Sequence, residues 1–197
     1  MERKLTKDIF KEPFDKNFFQ NHFGKNYLHK KEIVNNPKNI VSHEILDDLL
    51  SKTNIWNNHN FLMMLDQKKI NYNDYSSPTL DVTGSNNRPD VNKVQSLVSK
   101  GASIILNDIE KYNSKLLKIS GELQKITHGR CQGNLYFSMA SHKAFGPHFD
   151  LHDVFAIHFE GEKVWNIYEN IEVAPINHPF FRLSPEERIS RAGKLID

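Results

Sequence analysis

Along residues 8–36, aromatic and aliphatic side chains recur at short helical intervals: Phe14 and Phe18, then Phe19, Phe23 and Tyr27, with Leu28 alongside. That spacing predicts an amphipathic helix with an aromatic face, and packing is the ordinary use of such a stripe. Ser42 is placed to cap a helix running to about Lys52, with Ile45, Leu46, Leu49 and Leu50 on one side. A loop is expected over 53–60, a strand over 61–65 and a long polar connection over 71–89. Asp90 caps a further helix whose inward face is Val91, Val94, Leu97 and Val98, and Gly101 is its stop. Residues 102–106 read as a short buried strand. Residues 109–127 read as a helix turning Tyr112, Leu116, Ile119, Leu123 and Ile126 inward, with Gly129 beyond its end.

From Gly133 the period shortens. Residues 134–140 predict a strand, 148–159 a second and 163–168 a third, the last two joined by a tight Glu160-Gly161-Glu162 turn. The tail, 179–197, returns to helical propensity, with Ser184-Pro185 as a helix start. The fold class expected is α+β: a mostly helical region over 1–130, then a β region and the start of a helical insert over 131–197. No internal repeat or low-complexity tract interrupts it.

Composition narrows the partners. The chain has 197 residues, 38% hydrophobic and 25% charged, which suits a core-forming domain rather than a disordered tract. Lys+Arg 26 against Asp+Glu 24 leaves a formal charge of +2, so the balance carries no direct nucleic-acid signature and demands no anionic membrane. The single cysteine, Cys131, excludes an intramolecular disulfide framework and a multi-cysteine metal site. The longest apolar runs fall far below the ~18 residues of a membrane span, and the first residues lack the apolar stretch of a secretory signal. A cytoplasmic protein is the expectation.

Several chemistries are missing. Neither a phosphate-binding G-x-x-x-x-G-K nor a G-x-G-x-x-G occurs, and there is no G-x-S-x-G nucleophile turn. His43-Glu44-Ile-Leu-Asp47 falls one histidine short of a zinc-protease helix and reads as the first turn of a capped helix. Among the ten histidines, His22, His29, His43 and His59 lie in polar surroundings that suit surface or cap positions.

One constellation stands out: Gly146-Pro-His148-Phe-Asp150, followed by an apolar run, Lys163 and Trp165. In an extended strand, residues two apart share a face, so His148 and Asp150 would project together with Cα atoms ~6.6 Å apart. An imidazole and a carboxylate so placed can share a metal, and a two-His, one-carboxylate set with open positions favours non-haem Fe(II). His152 would lie ~13 Å along the strand from His148, too far to join it. His158 sits in an apolar run and is expected to be a hydrogen-bonded core residue, while His178 lies in a Pro-flanked loop. Lys163 has two readings: a cation paired with an anionic co-substrate at the bottom of a β-lined pocket, or a hairpin lysine reaching solvent.

The stretch 148–168 resembles the core motif of JmjC-type, 2-oxoglutarate-dependent oxygenases of the ribosomal oxygenase group, a cupin-like family of ribosomal-protein hydroxylases. In that family the H-x-D supplies two iron ligands, which implies His148 and Asp150 here. A Lys or Arg fifteen residues after the histidine binds the distal carboxylate of 2-oxoglutarate, and Lys163 stands at that spacing. Gly133-Asn134-Leu-Tyr136-Phe-Ser138 is similar to the family's G-S-N-V-Y strand, whose Asn and Tyr line the co-substrate pocket. Asn134, Tyr136 and Ser138 share one face of that strand. The Phe18 to Leu28 segment and the region 94–117 are similar to the family's N-terminal layer, so the likeness covers nearly the whole chain.

The resemblance implies the first part of a double-stranded β-helix behind a helical layer, Fe(II) as cofactor and 2-oxoglutarate as co-substrate. It also implies a protein substrate, a ribosomal-protein His or Arg, and a homodimer in the full-length form. The family's second iron-binding histidine follows in a strand resembling G-D-x-L-Y-x-P-x-x-x-x-H, which these 197 residues lack. The chain is therefore expected to be an N-terminal portion with its third ligand elsewhere and little turnover alone. The alternative is a non-catalytic, degenerate cupin-like module that binds a protein partner.

Overall fold

A computed structural model describes residues 10–11, 14–37, 40–82, 84–139, 142–170, 172 and 174–197. Residues 8, 9, 12 and 13 of the expected first helix and Ala140 of the expected strand lie outside them. The chain divides into two units, residues 41–145 and residues 1–40 with 146–197.

In the unit 41–145, helix α2 (His43–Ser51) starts where Ser42 accepts from the Ile45 amide, and it buries Leu46 and Leu49. Strand β1 (Phe61–Leu65) turns through Asp66 and Gln67, both with left-handed φ, into the short β2 (Lys68–Lys69). The expected polar connection instead holds a helical turn, α3 (Tyr72–Tyr75), and a hairpin of β3 (Ser76–Asp81) with β4 (Gly84–Pro89). Nothing in Ser-Ser-Pro-Thr-Leu-Asp or Gly-Ser-Asn-Asn-Arg-Pro alternates apolar with polar, because this two-stranded ribbon has little core to face. Leu80 and Val82 at its tip are exposed.

Asp90 caps α4 (Val91–Ser99), accepting from the Asn92 and Lys93 amides, and Gly101 ends the turn at φ 97°. Val94 is buried as expected, whereas Val91 faces solvent. Strand β5 (Ser103–Asn107) is buried along most of its length. The expected helix over 109–127 is broken in two: a 3-10 turn over Ile109–Lys111, then α5 (Ser114–Thr127) capped by the Asn113 side chain. Asn113 explains the break, since its carboxamide accepts from the Lys115 and Leu116 amides and so starts a new helix. Strand β6 (Asn134–Phe137) completes an antiparallel sheet in the order β2-β1-β5-β6.

The register decides what each sheet face carries. Phe61 pairs with Leu106, Met63 with Ile104, and Ile104 with Phe137. These side chains form the packed face, where Phe61, Met63 and Leu106 are almost wholly buried. Trp56 lies edge-on to Phe61 and to Tyr112, and its indole N–H donates to the Leu49 carbonyl at 2.8 Å.

In the other unit, α1 (Lys16–Asn21) is only six residues long, capped by Asp15. The aromatic face is real but gathers on a short helix and its flanking turns: Phe14 lies 4.8 Å from Phe18 and 5.7 Å from Phe155, ring centre to ring centre. Gly24, at φ 67°, belongs to the turn that stops the helix. Helix α6 (Pro185–Ala192) begins with a capping box between Ser184 and Glu187, as the Ser-Pro-Glu-Glu run foretells. The strands expected over 148–159 and 163–168 are not formed. Those residues follow an irregular path, with a bridge from Tyr168 to Leu195 as their β pairing among the described residues. A strand exists only as a pairing, and Val154, Val164 and Trp165 stay exposed where a second sheet would cover them.

The class is α+β, with helices and antiparallel sheet.

Candidate functional site

Asn134, Tyr136 and Ser138 come off β6 together. Gly133 sets the start of that strand: its N–H donates to the buried Glu110 carboxylate at 2.9 Å, and its carbonyl accepts from the Ile109 amide at 3.0 Å. A Cβ at Gly133 would lie 3.2 Å from the Glu110 carboxylate and 3.3 Å from the Ile109 side chain, so both would have to give slightly to admit one. The adjoining turn is tied down electrostatically. Asp108 accepts from Gln132 and pairs with Lys111 at 2.9 Å, and these bonds hold its carboxyl below the usual carboxylate range. Cys131, half-buried beside this turn, is pushed up by burial.

From that start, exposure alternates along β6: Asn134 and Tyr136 are exposed, Leu135 and Phe137 are half-buried. Asn134 pairs across the ladder with Asn107, and Tyr136 with the buried Ile105, so the same face continues onto β5. Ser138 follows in phase, its hydroxyl sharing a 2.8 Å hydrogen bond with the buried Ser103 hydroxyl. Tyr136 lies edge-on to Phe145, ring centres 6.1 Å apart. The sheet thus gathers the three residues expected on its co-substrate face.

His148, Asp150 and Lys163 lie in the other unit, and all three are exposed. The His148 ring is oriented: Nδ1 lies 2.8 Å from the Gly146 carbonyl. A carbonyl can only accept, so Nδ1 carries the proton and Nε2 the lone pair that ligates a metal. The donor chemistry therefore fits a divalent iron, an imidazole in the ligating tautomer followed two residues later by a carboxylate. Among the described residues no group of three or more His, Cys, Asp or Glu gathers around a common point. The Lys163 ammonium lies 5.3 Å from the Trp165 ring centre, a cation–π contact that steadies it on its own strand of sequence.

His152, His158 and His178 each make a local backbone contact. His152 Nδ1 meets the Asp153 carbonyl at 3.2 Å, and His178 accepts from the Phe180 amide at the head of a 3-10 turn. His158 bonds the Glu160 carbonyl at 2.7 Å, but it is exposed and not the core residue expected, because the apolar run around it is not built into a sheet.

Residue pattern alone missed the supports: Glu110, Ser103 and a pair formed by His142 and Asp66, Nδ1 to Oδ1 3.0 Å. Glu110 offered one signal, an acidic residue in an apolar turn just before a capped helix. The His142–Asp66 pair offered none, being 76 residues apart in sequence.

The family model of the JmjC domain matches residues 108–192, which include Asn134, Tyr136, Ser138, His148, Asp150 and Lys163. The chain is 28% identical over 187 residues to the bifunctional lysine-specific demethylase and histidyl-hydroxylase NO66 of Dictyostelium discoideum, covering 86% of this chain and 34% of that protein. The proteins of the same name from Drosophila simulans and Drosophila sechellia are 28% and 29% identical, over 80% and 68% of this chain. The chain spans about a third or less of the length of these curated relatives, 34%, 18% and 20%. No solved structure matches. Among the described residues, no helix is long and apolar enough to cross a membrane.

Proposed function

We propose that this chain is part of an Fe(II)- and 2-oxoglutarate-dependent protein hydroxylase that acts on a His or Arg side chain of a ribosomal protein. The observation that carries the reading is that one JmjC match encloses the open face of β6 and the His148-x-Asp150 pair. The relatives named as histidyl-hydroxylases support the substrate class. When bound, ferrous iron with 2-oxoglutarate and dioxygen supplies the oxidation of a C–H bond with release of succinate and carbon dioxide.

The chain's own residues have separate tasks. His148 and Asp150 hold the metal, the imidazole through Nε2 because Gly146 keeps Nδ1 protonated. Lys163 neutralises the distal carboxylate of 2-oxoglutarate, and the flat Trp165 ring beside it limits the volume its ammonium explores. Tyr136, Asn134 and Ser138 present hydroxyl and carboxamide groups to the co-substrate from one sheet face.

The test uses the full-length protein. Succinate release from 2-oxoglutarate should require iron, and His148→Ala or Asp150→Ala should weaken iron binding by more than the 10–100-fold typical of an outer-shell partner, ~100-fold or beyond. Lys163→Ala should raise the KM for 2-oxoglutarate ~10–100-fold, the worth of a charge-assisted hydrogen bond, with iron affinity nearly unchanged. Retained iron binding in both ligand variants sinks the metal assignment. Partner capture without 2-oxoglutarate turnover by the intact protein would replace the enzyme with a binding module.

A further inference from the structure

Between β6 and Gly146 the chain does not leave the sheet directly. Residues 142–145 form a strap, and three contacts within the unit 41–145 pin it. His142 Nδ1 meets Asp66 Oδ1 at 3.0 Å, and the Gln67 N–H donates to the Lys143 carbonyl at 3.1 Å. The His142 ring also lies directly over Gly101, where any Cβ would overlap the ring atoms. Gly101 itself is at φ 97°, a conformation that favours glycine, so the position is doubly reserved. On the far side, Asp66 and Gln67 make the β1–β2 turn with two consecutive left-handed residues that carry side chains (φ 48° and 66°). Glycine is the ordinary occupant of such a turn, and the two contacts to the strap fall on these two residues.

The strap ends in Phe145, whose ring meets Tyr136 edge-on at 73° between ring planes. Tyr136 is 47% exposed, and the Phe145 ring packs against it.

We propose that His142 is a positioning residue for Tyr136: clasped by Asp66 and seated on Gly101, it anchors the strap that sets Phe145 against the Tyr136 ring. The proposal deepens the co-substrate reading of Tyr136 and rests on that reading for its consequence, though not for its geometry. A half-exposed contact of this kind alone contributes little to stability. The pin works because the pair, the backbone hydrogen bond and the ring contact all fix the same few residues. His142 touches neither metal nor co-substrate; it acts through Phe145.

The experiment labels tyrosine rings in the full-length protein and follows the Tyr136 resonance, assigned by Tyr136→Phe, with 2-oxoglutarate affinity measured alongside by calorimetry. His142→Ala and Asp66→Ala should each move the Tyr136 ring signals toward those of Phe145→Ala, which removes the ring-current neighbour. They should also weaken 2-oxoglutarate binding by ~10-fold, the low end for an outer-shell partner. His142→Asn, whose carboxamide can still donate to Asp66, should restore most of both. Because Asn is close in reach to Nδ1, its rescue separates positioning from general loss of folding, and the other tyrosine signals report folding directly. Unmoved Tyr136 signals in His142→Ala with the fold intact overturn the pin, whatever the co-substrate does. Moved signals in a protein that does not bind 2-oxoglutarate uphold the pin and refute the co-substrate reading.

Discussion

Tyr75 shows what a single buried residue contributes here. It lies in a stretch whose sequence reads as polar connection, yet it is wholly buried, tilted against Phe61, and its hydroxyl donates to the Phe61 carbonyl at 3.0 Å. Burial first, and then the neighbouring Tyr72, push its ionisation up to about 12. Tyr75→Phe should cost about 1 kcal/mol near neutrality, the usual net worth of such a hydrogen bond, read from the denaturant midpoint. The sign at high pH follows from the raised value: the fold prefers the neutral phenol. Its contribution is complete below the ordinary tyrosine value of about 10 and declines as pH rises from there toward about 12. The gap between wild type and Tyr75→Phe should therefore narrow on the alkaline side. A constant gap from about pH 9 to about pH 11.5 would mean that Tyr75 ionises as easily folded as unfolded. Nothing in Asn-Tyr-Asn-Asp-Tyr-Ser marks the second tyrosine as core, since its burial comes from β1, more than ten residues earlier.

At the scale of elements, the chain was readable where the forces are local. Caps and helical period lie within a few residues of each other, and α2, α4, α5 and α6 fall close to where Ser42, Asp90, Leu116–Ile126 and Ser184 place them. Pairing is not local, and so the β3–β4 ribbon went unseen and the strands over 148–168 were expected but not formed. Asp90 joins the two kinds of force. It caps α4 and accepts from the Ser77 hydroxyl on β3 at 2.9 Å, so one carboxylate fastens helix to ribbon. Those hydrogen bonds, the Lys93 amide foremost and Ser77 next, hold its carboxyl below the usual range. The stabilisation is thus present above the ordinary carboxylate value of about 4 and fades as pH falls through the lowered one. Asp90→Asn keeps an acceptor for the cap but removes the charge, so it should lower the thermal midpoint at neutral pH and converge with wild type in acid. Parallel melting curves down to about pH 2 would show that the charge adds nothing to the cap.

For the molecule as a whole, the candidate site was legible as residue types and spacing and illegible as scaffold. His148-x-Asp150, Lys163 and the Asn134-x-Tyr136-x-Ser138 face are visible in sequence because ligand chemistry restricts identity at short range. Their supports, Glu110 under Gly133, Ser103 under Ser138 and Asp66 under His142, are spread over 23 to 76 residues and obey no local period. The difference should appear directly in backbone exchange. Strands β1 and β5 and helix α5 combine ladder or helix hydrogen bonds with buried side chains, whereas residues 148–167 are irregular and largely exposed. Local opening free energies run from near zero in unpaired segments to the global value in core elements, so amide exchange in the 197-residue chain should divide sharply. Amides of Met63, Ile105 and Leu123 should be among the slowest, and those of Val154, Val164 and Trp165 among the fastest. Protection at 154 and 164 equal to that at 105 would require strand partners for the H-x-D segment in solution, and His148 and Asp150 would then stand on a sheet as their spacing first suggested. If those amides instead exchange freely, ferrous iron with 2-oxoglutarate added without oxygen should slow exchange at 148–150 and leave β1 and β5 unchanged, because only the donors that close on the metal lose freedom when it binds.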